Sequence, residues 1–139
     1  MIKVVLDTNI FVSGILSPKG AAGTIMREWQ SNSMDLVTSV ELLEEIERVL
    51  KYPKIIKITK WDDRKIEEYI EYLHFFTTVV DISGVNYHFV HDPNDNHIIE
   101  TYLAAECNYL VTGDKALFSL KKKINVITLE DFVSNHFLL

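Results

Sequence analysis

The chain has 139 residues, of which 47% are hydrophobic and 24% are charged, and its formal net charge is −6. This length and composition are typical of one soluble globular domain over residues 1–139, and we find no internal repeat or low-complexity segment. No apolar run approaches the ~20 residues that span a bilayer, so we expect no membrane partner.

Charge and cysteine content bear on partners and compartment. The negative net charge argues weakly against a nucleic-acid-binding protein, whose surface is usually basic. Four of the six net charges belong to the site described below, and removing them leaves −2, so the total does not decide the question. The single Cys107 is expected to pack in the core, which fits a reducing compartment. An apolar N-terminal stretch that ends at Asp7 is too short for a secretory signal, and we expect a cytoplasmic protein.

The N-terminal segment predicts a buried strand with polar residues at its end. Residues 2–6 are apolar apart from Lys3, which is typical of a strand covered on both faces. Asp7, Thr8 and Asn9 follow directly. The carboxyl ends of the strands form the ligand-binding edge of an open α/β sheet, so we expect Asp7 at a functional edge.

Helices and strands alternate along the whole chain, which predicts an α/β domain with a parallel sheet of five short strands. Strands are expected over residues 2–6, 35–37, 78–82, 109–111 and 124–127. Helical segments are expected over residues 9–16, 20–30, 39–51, 95–105, 116–120 and from 128 onward, and a further helix is expected to run from the capping segment 59–62 to about residue 75.

Capping patterns and aromatic residues add local predictions. Thr38 with Glu41, and the segment 59–62, have the spacing of capping boxes, and the segment 128–131 repeats it before the last helix. Tyr72, Phe75 and Phe76 could form a base-stacking or dimer surface. An aromatic cluster at helical spacing is more often core, so we expect these rings to be buried.

The helix over 39–51 carries several acids that do not occupy equivalent positions. At about 100° per residue, Glu44 points away from the apolar stripe, whereas Glu45 lies beside it. Unpaired carboxylates beside a core are rare, and this rarity together with the resemblance described below makes Glu45 the better candidate for a functional residue. Glu44 is expected to be a solvated surface residue.

The stretch from residue 91 to residue 114 places two further acids. A turn through Pro93 puts Asp95 at the start of a helix, where it falls on the apolar face three residues before Ile98. Asp114 directly follows a short apolar strand and Gly113. Each acid alone has an ordinary explanation, since Asp caps helices and Asp is common in turns.

Taken together, two strands and a helix deliver carboxylates to one edge of the predicted sheet. Crowded carboxylates repel one another unless a cation or a proton compensates them. An oxygen-rich site with no cysteine or histidine at ligand spacing suits Mg²⁺ or Mn²⁺ rather than Zn²⁺. His91 and His97 flank the acidic turn, and a role for them in proton transfer is a minor alternative.

These motifs resemble those of the PIN domain family over essentially the full length. The resemblance rests on the DTN motif at residues 7–9, Glu45, the DPNDN motif at residues 92–96 and the VTGD motif at residues 111–114. It is strongest to the stand-alone bacterial and archaeal PIN domains described as toxins of toxin-antitoxin systems.

The resemblance implies a three-layer α/β/α sandwich with sheet order 3-2-1-4-5 and a Mg²⁺- or Mn²⁺-dependent ribonuclease that hydrolyses single-stranded RNA. The metal-binding acids of the family map onto the catalytic set Asp7, Glu45, Asp95 and Asp114. Asn9 and Thr112 map onto supporting polar positions, and Glu44 and Asp92 are neighbouring alternatives. A homodimer and an antitoxin partner are also implied by the resemblance.

Two other classes of function are compatible with the sequence. Asp7 at a strand end could be the nucleophile of an aspartyl-phosphate phosphatase or a phospho-receiver domain. Such phosphatases carry a second Asp two residues later, where this chain has Asn9. The third possibility is a non-catalytic PIN-like interaction domain that keeps the acidic pocket as a relic.

Overall fold

The computed structural model describes residues 1–89 and 92–137. Five strands form one sheet, in chain order β1 (Lys3–Leu6), β2 (Asp35–Thr38), β3 (Thr78–Val79), β4 (Tyr109–Thr112) and β5 (Val126–Thr128). Every pairing is parallel and the order across the sheet is β3-β2-β1-β4-β5. The expected α/β class and strand order are confirmed.

Helices connect the strands, as parallel pairing requires. In the described part of the chain they are α1 (Thr8–Leu16), α2 (Ala21–Gln30), α3 (Val40–Leu50), α4 (Pro53–Thr59), α5 (Asp63–Phe76), α6 (Asn96–Ala104) and α7 (Leu129–His136). Two 3₁₀ turns, Pro93–Asp95 and Leu117–Leu120, complete the elements. None of these helices is both long and apolar enough to cross a membrane.

The central strand β1 shows why the sheet is covered on both faces. Val4, Val5 and Leu6 are all 0% exposed, although successive side chains of a strand point to opposite faces. Helices therefore pack on each side of the sheet, and β1 lies between β2 and β4 in its middle. The polar residues that follow β1 and β4 consequently emerge side by side at one edge.

Two predicted helix caps are wrong by one or more residues. Thr38 is still in β2, where its hydroxyl pairs with that of Thr77 at 2.7 Å, and Ser39 caps α3 by accepting the N–H of Leu42. Asp62 rather than residue 59 caps α5 through the N–H of Lys65. Strand pairing retains Thr38 in the sheet, so the cap falls on the next residue that can accept the bond.

The cap of the last helix and the packing of the cysteine were predicted correctly. Thr128 accepts the N–H of Asp131 at 3.0 Å at the start of α7. Cys107 is buried, and burial raises the pKa of its thiol to about 12. The thiol therefore stays protonated and packs as a small apolar group.

The third strand is shorter than its β-branched sequence suggests. Only Thr78 and Val79 pair with β2, whereas a strand was predicted over 78–82. The partner strand ends at Thr38, which lies opposite Val79, and its carbonyl still accepts the N–H of Val80 at 2.9 Å. Beyond that residue β2 offers no further backbone to pair with.

The prediction that the aromatic residues at the end of α5 are buried is wrong for two of them. Phe75 is 80% exposed and Phe76 is 60% exposed, while Tyr72 is partly buried. Leu73 and Ile66 occupy the inner face of α5 and are 0% exposed. Phe75 lies about 200° around the helix from Leu73, so its ring faces solvent.

Candidate active site

The ends of β1 and β4 are joined by hydrogen bonds around Asp7. Asp7 directly follows β1, and its backbone N–H donates to the carbonyl of Val111 at 3.0 Å. Thr112 Oγ1 donates to Asp7 Oδ2 at 2.7 Å and accepts the N–H of Asp114 at 2.9 Å. Parallel pairing of two adjacent strands thus places Asp7, Thr112 and Asp114 at one edge.

Glu45 reaches this edge from α3. The Thr8 hydroxyl, at the start of α1, donates to Glu45 Oε2, and His97 Nε2 in α6 lies 3.0 Å from the same oxygen. Arg48 Nη2 lies 3.5 Å from the other oxygen, Oε1. The side chain of Glu45 is 16% exposed, whereas Glu44 is exposed to solvent. The two acids therefore lie on the helix faces that the sequence predicts.

Asp95 approaches from the turn before α6. It is the last residue of the Pro93–Asp95 turn, and its side chain makes no capping hydrogen bond to α6. Its Oδ2 atom is buried without a hydrogen-bond partner among the described residues. Capping therefore does not explain this acid, and an unpartnered buried oxygen destabilises the fold by about 1–3 kcal/mol.

The pKa values show that the acids share one electrostatic environment. The pKa of Asp95 is raised from 3.8 to about 7, mainly by burial and in addition by the charges of Asp7, Asp92, Asp114 and Glu45. Burial also raises the pKa of Asp7, against the lowering effect of the hydrogen bond from Thr112, and the charges of Glu45 and Asp114 add to the rise. The four acids named from the sequence therefore lie close enough to repel one another.

Glu45 differs from the other acids because it has donors around it. Burial alone would raise its pKa, but hydrogen bonds from His97 and Thr8 outweigh that effect and the pKa is lowered. The positive charges that His97 and Arg48 can carry lower it further. Glu45 consequently stays ionised at pH values at which Asp95 is protonated.

Comparison with known proteins identifies the family of the chain. The family model of the PIN domain matches residues 3–116, which include all four acids of the site, from Asp7 to Asp114. The chain belongs to the PIN domain family. PIN domains are generally nucleases.

Two individual proteins resemble this PIN domain over most of its length. It is 32% identical over 136 residues to the uncharacterized protein MJ1680 of Methanocaldococcus jannaschii, an alignment that covers 93% of this chain and 84% of the relative. Its fold is similar to that of VapBC2 from Rickettsia felis, solved bound to a DNA fragment from their promoter. That comparison has a TM-score of 0.62 and 16% identity, and covers 91% of this chain and 98% of the other.

The donor set of this PIN domain fits a hard divalent cation. Its candidate ligands are carboxylate oxygens, and Asp95 Oδ2 is a buried oxygen that lacks a partner. In the ranges 1–89 and 92–137, no three Asp, Glu, His or Cys side chains are already gathered closely enough to hold an ion.

Three polar residues contact Glu45 that the sequence motifs did not identify as supporting residues of the site. Thr8 rather than its neighbour Asn9 contacts an acid, since Asn9 is exposed on α1. Arg48 follows Glu45 by three residues, and this helical spacing was a usable signal. His97 was considered only for proton transfer, and it contacts Glu45 directly.

The near alternatives to the predicted acids occupy different environments. Asp92 Oδ1 accepts the N–H of Asn94 at 2.9 Å and so stabilises its own turn. Glu44 lines a cleft of about 550 Å³ that opens beside Glu45 and His97. His91, the second histidine considered for proton transfer, lies outside the described residues.

Proposed function

We propose that this PIN domain is a Mg²⁺- or Mn²⁺-dependent endoribonuclease that hydrolyses phosphodiester bonds of single-stranded RNA. The observation that carries the proposal is the convergence of Asp7, Glu45, Asp95 and Asp114, with an unpartnered buried oxygen on Asp95. Carboxylates that repel one another do not stabilise a fold, whereas a site that binds a cation needs carboxylates placed close together. The pKa values of Asp7 and Asp95 are raised by burial and by neighbouring carboxylates, which supports the same conclusion.

The roles of the side chains follow from their surroundings. Asp7, Asp95 and Asp114 would hold the metal ion, since they lie at or near the carboxyl edge of the sheet and form no ion pair with another described residue. A bound Mg²⁺ or Mn²⁺ lowers the pKa of water and neutralises charge on a phosphoryl group under attack. Thr112 orients Asp7, and Glu45 either joins the ligands or orients the attacking water. By resemblance to the family, the products would carry a 5′-phosphate and a 3′-hydroxyl.

The phosphatase alternative is less compatible with the geometry. A nucleophilic aspartate has to be reached by its substrate, and Asp7 is 7% exposed with one oxygen engaged by Thr112. Asn9, where such phosphatases carry a second acid, is exposed. A non-catalytic interaction domain is the other alternative, and the absence of any metal-dependent cleavage would favour it.

The proposal extends to partners and compartment on the ground of the family resemblance. It assigns this chain the role of the toxin in a toxin-antitoxin pair, acting as a cytoplasmic homodimer whose active site an antitoxin protein blocks. The mass of the purified chain, measured by light scattering, tests the homodimer directly. A monomeric mass at micromolar concentration would contradict that part of the proposal.

The experiment that tests the nuclease proposal is cleavage of a labelled single-stranded RNA under three conditions. We expect cleavage with Mn²⁺ or Mg²⁺ and none with excess chelator. Asp7→Asn and Asp114→Asn should each lower the rate by at least about 10²-fold, since each removes a metal ligand. Equal rates in metal and in chelator would overturn the proposal.

A further inference from the structure

We propose that His97 is a positioning residue that fixes the side chain of Glu45 before the metal binds. This inference rests on the proposed metal-dependent nuclease, and it assigns a role to a residue that the family motifs do not include. His97 lies two residues after Asp95, in the first turn of α6, and Glu45 lies in α3. The two side chains therefore connect two helices that carry acids of the site.

The contact between them is specific to one oxygen. His97 Nε2 is 3.0 Å from Glu45 Oε2, and the Thr8 hydroxyl donates to that same oxygen from α1. The other oxygen, Oε1, faces Arg48, whose side chain is 63% exposed and 3.5 Å away. Two donors thus hold Oε2 in place, and Oε1 is the oxygen that a cation or a water molecule can take.

The backbone carbonyl of His97 is held by a hydrogen bond from Thr101, which also contacts α3. Thr101 Oγ1 donates to the carbonyl of His97 at 2.6 Å, and it lies 2.8 Å from Ser39 Oγ. Thr101 and Ser39 are both 0% exposed. Ser39 caps α3, so the contact between the hydroxyls of Ser39 and Thr101 connects α3 to α6. This connection helps to fix the distance from His97 to Glu45.

The ring has no other polar role within the described part of the chain. Nδ1 of His97 is buried without a hydrogen-bond partner, and its side chain is 17% exposed. The one strong polar contact that this ring makes is directed at Glu45.

The physical benefit is preorganisation. A glutamate loses the freedom of several side-chain torsions when it is ordered, and donors that hold it in advance reduce that loss when the metal arrives. Removing partners that orient metal ligands typically lowers metal affinity or activity by 10- to 100-fold. We therefore expect His97 to set the metal concentration that the site requires rather than its affinity for RNA.

The test uses two amide substitutions that separate the ring nitrogens. The side-chain nitrogen of Gln reaches the place of Nε2, whereas that of Asn reaches only the place of Nδ1. His97→Gln should stay within about 3-fold of the wild type in the Mn²⁺ concentration that gives half the maximal cleavage rate. His97→Asn should raise that concentration by about 10-fold while the KM for RNA is unchanged. His74→Asn, at an exposed position on α5, is the matched control and should change neither value.

A second readout does not depend on cleavage. The rise in melting temperature with Mn²⁺ should be half-complete at about 10-fold higher metal for His97→Asn than for the wild type and His97→Gln. Equal metal requirements for His97→Asn and wild type overturn the positioning role, as does an equal loss in both substitutions. A wild type that binds Mn²⁺ but cleaves no RNA overturns the nuclease proposal alone, and one that binds no Mn²⁺ overturns both.

Discussion

Thr112 Oγ1 donates a 2.7 Å hydrogen bond to Asp7 Oδ2, and so joins the carboxyl end of β4 to that of β1. Thr112 is 0% exposed, and its hydroxyl also accepts the N–H of Asp114. Thr112→Val keeps the shape of the side chain but removes both bonds. We expect a loss of about 1–3 kcal/mol in the free energy of unfolding, measured by denaturant melts of the metal-free protein.

The same substitution should also reduce cleavage at saturating Mn²⁺ by about 10-fold, because Asp7 loses the group that orients it. Thr112→Ser is the matched control, since it keeps the hydroxyl and removes one methyl group. It should cleave at close to the wild-type rate. If both variants cleave equally well, Thr112 supports the packing of the sheet but not the orientation of Asp7.

Asp95 predicts how stability depends on pH. Its pKa is raised from 3.8 to about 7 in the folded state, so the folded protein holds a proton that the unfolded chain has already lost. The stability that this proton contributes is fully present below about pH 4 and is lost as pH rises through 7. Asp95→Asn lacks the charge, and its side chain gives up no capping bond to α6. The metal-free variant should therefore melt increasingly above the wild type from pH 5.5 to about pH 7, and the difference should level off toward pH 8.5.

Thermal melts of both proteins in chelator, at matched ionic strength, provide the measurement. The difference between their melting temperatures separates the effect of Asp95 from that of the other groups that titrate in this interval. A difference in melting temperature that is constant from pH 5.5 to pH 8.5 would mean that the pKa of Asp95 is not raised. A variant less stable than the wild type at both pH 5.5 and pH 8.5 would show that Asp95 stabilises the fold.

Glu44 and Glu45 are neighbours in sequence with opposite expected effects. Glu45→Gln replaces an ionised carboxylate that three side chains contact, and we expect at least about 10²-fold slower RNA cleavage. Glu44→Gln changes an exposed residue and should alter the rate by less than about 3-fold. Single-turnover rates at saturating Mn²⁺ make the comparison. The reverse order would show that the other face of α3 meets the substrate.

Gly23 is predicted to be intolerant of any side chain. A Cβ built there would lie 1.8 Å from the carbonyl oxygen of Pro18, whereas one at Gly84 would meet no heavy atom within 4 Å. Alanine is a better helix former than glycine by about 1 kcal/mol, so only this close approach can make Gly23→Ala destabilising. We expect a net loss of about 1–3 kcal/mol in denaturant melts, with Gly84→Ala within about 1 kcal/mol of wild type. A Gly23→Ala variant more stable than the wild type would contradict the close packing of Pro18 against α2.

The strand order was implied by the family resemblance, whereas the proximity of Asp7 and Asp114 could be anticipated from local patterns in the sequence. Apolar runs end in polar residues at Asp7 and Asp114, and parallel pairing then brings those ends together without further information. The helix-face argument separated Glu45 from Glu44 for the same reason, since 100° per residue is fixed by backbone geometry.

Other features depend on contacts between segments that are distant in sequence. The contact of His97 with Glu45 spans α3 and α6, and no spacing pattern connects them. The length of β3 is limited by where its partner β2 ends, at Thr38. Phe75 is exposed because Leu73 already occupies the core position on α5, which only the packed structure reveals.

The central claim is that the converging carboxylates bind a divalent metal ion, and a calorimetric titration of the metal-free protein with Mn²⁺ tests it most directly. At pH 8, where Asp95 is largely ionised, we expect saturable binding by the wild type and at least about 10-fold weaker binding by Asp95→Asn. Glu44→Gln serves as the control for charge alone and should bind as the wild type does. No saturable binding by the wild type at millimolar Mn²⁺, or equal affinity in Asp95→Asn, would contradict the account.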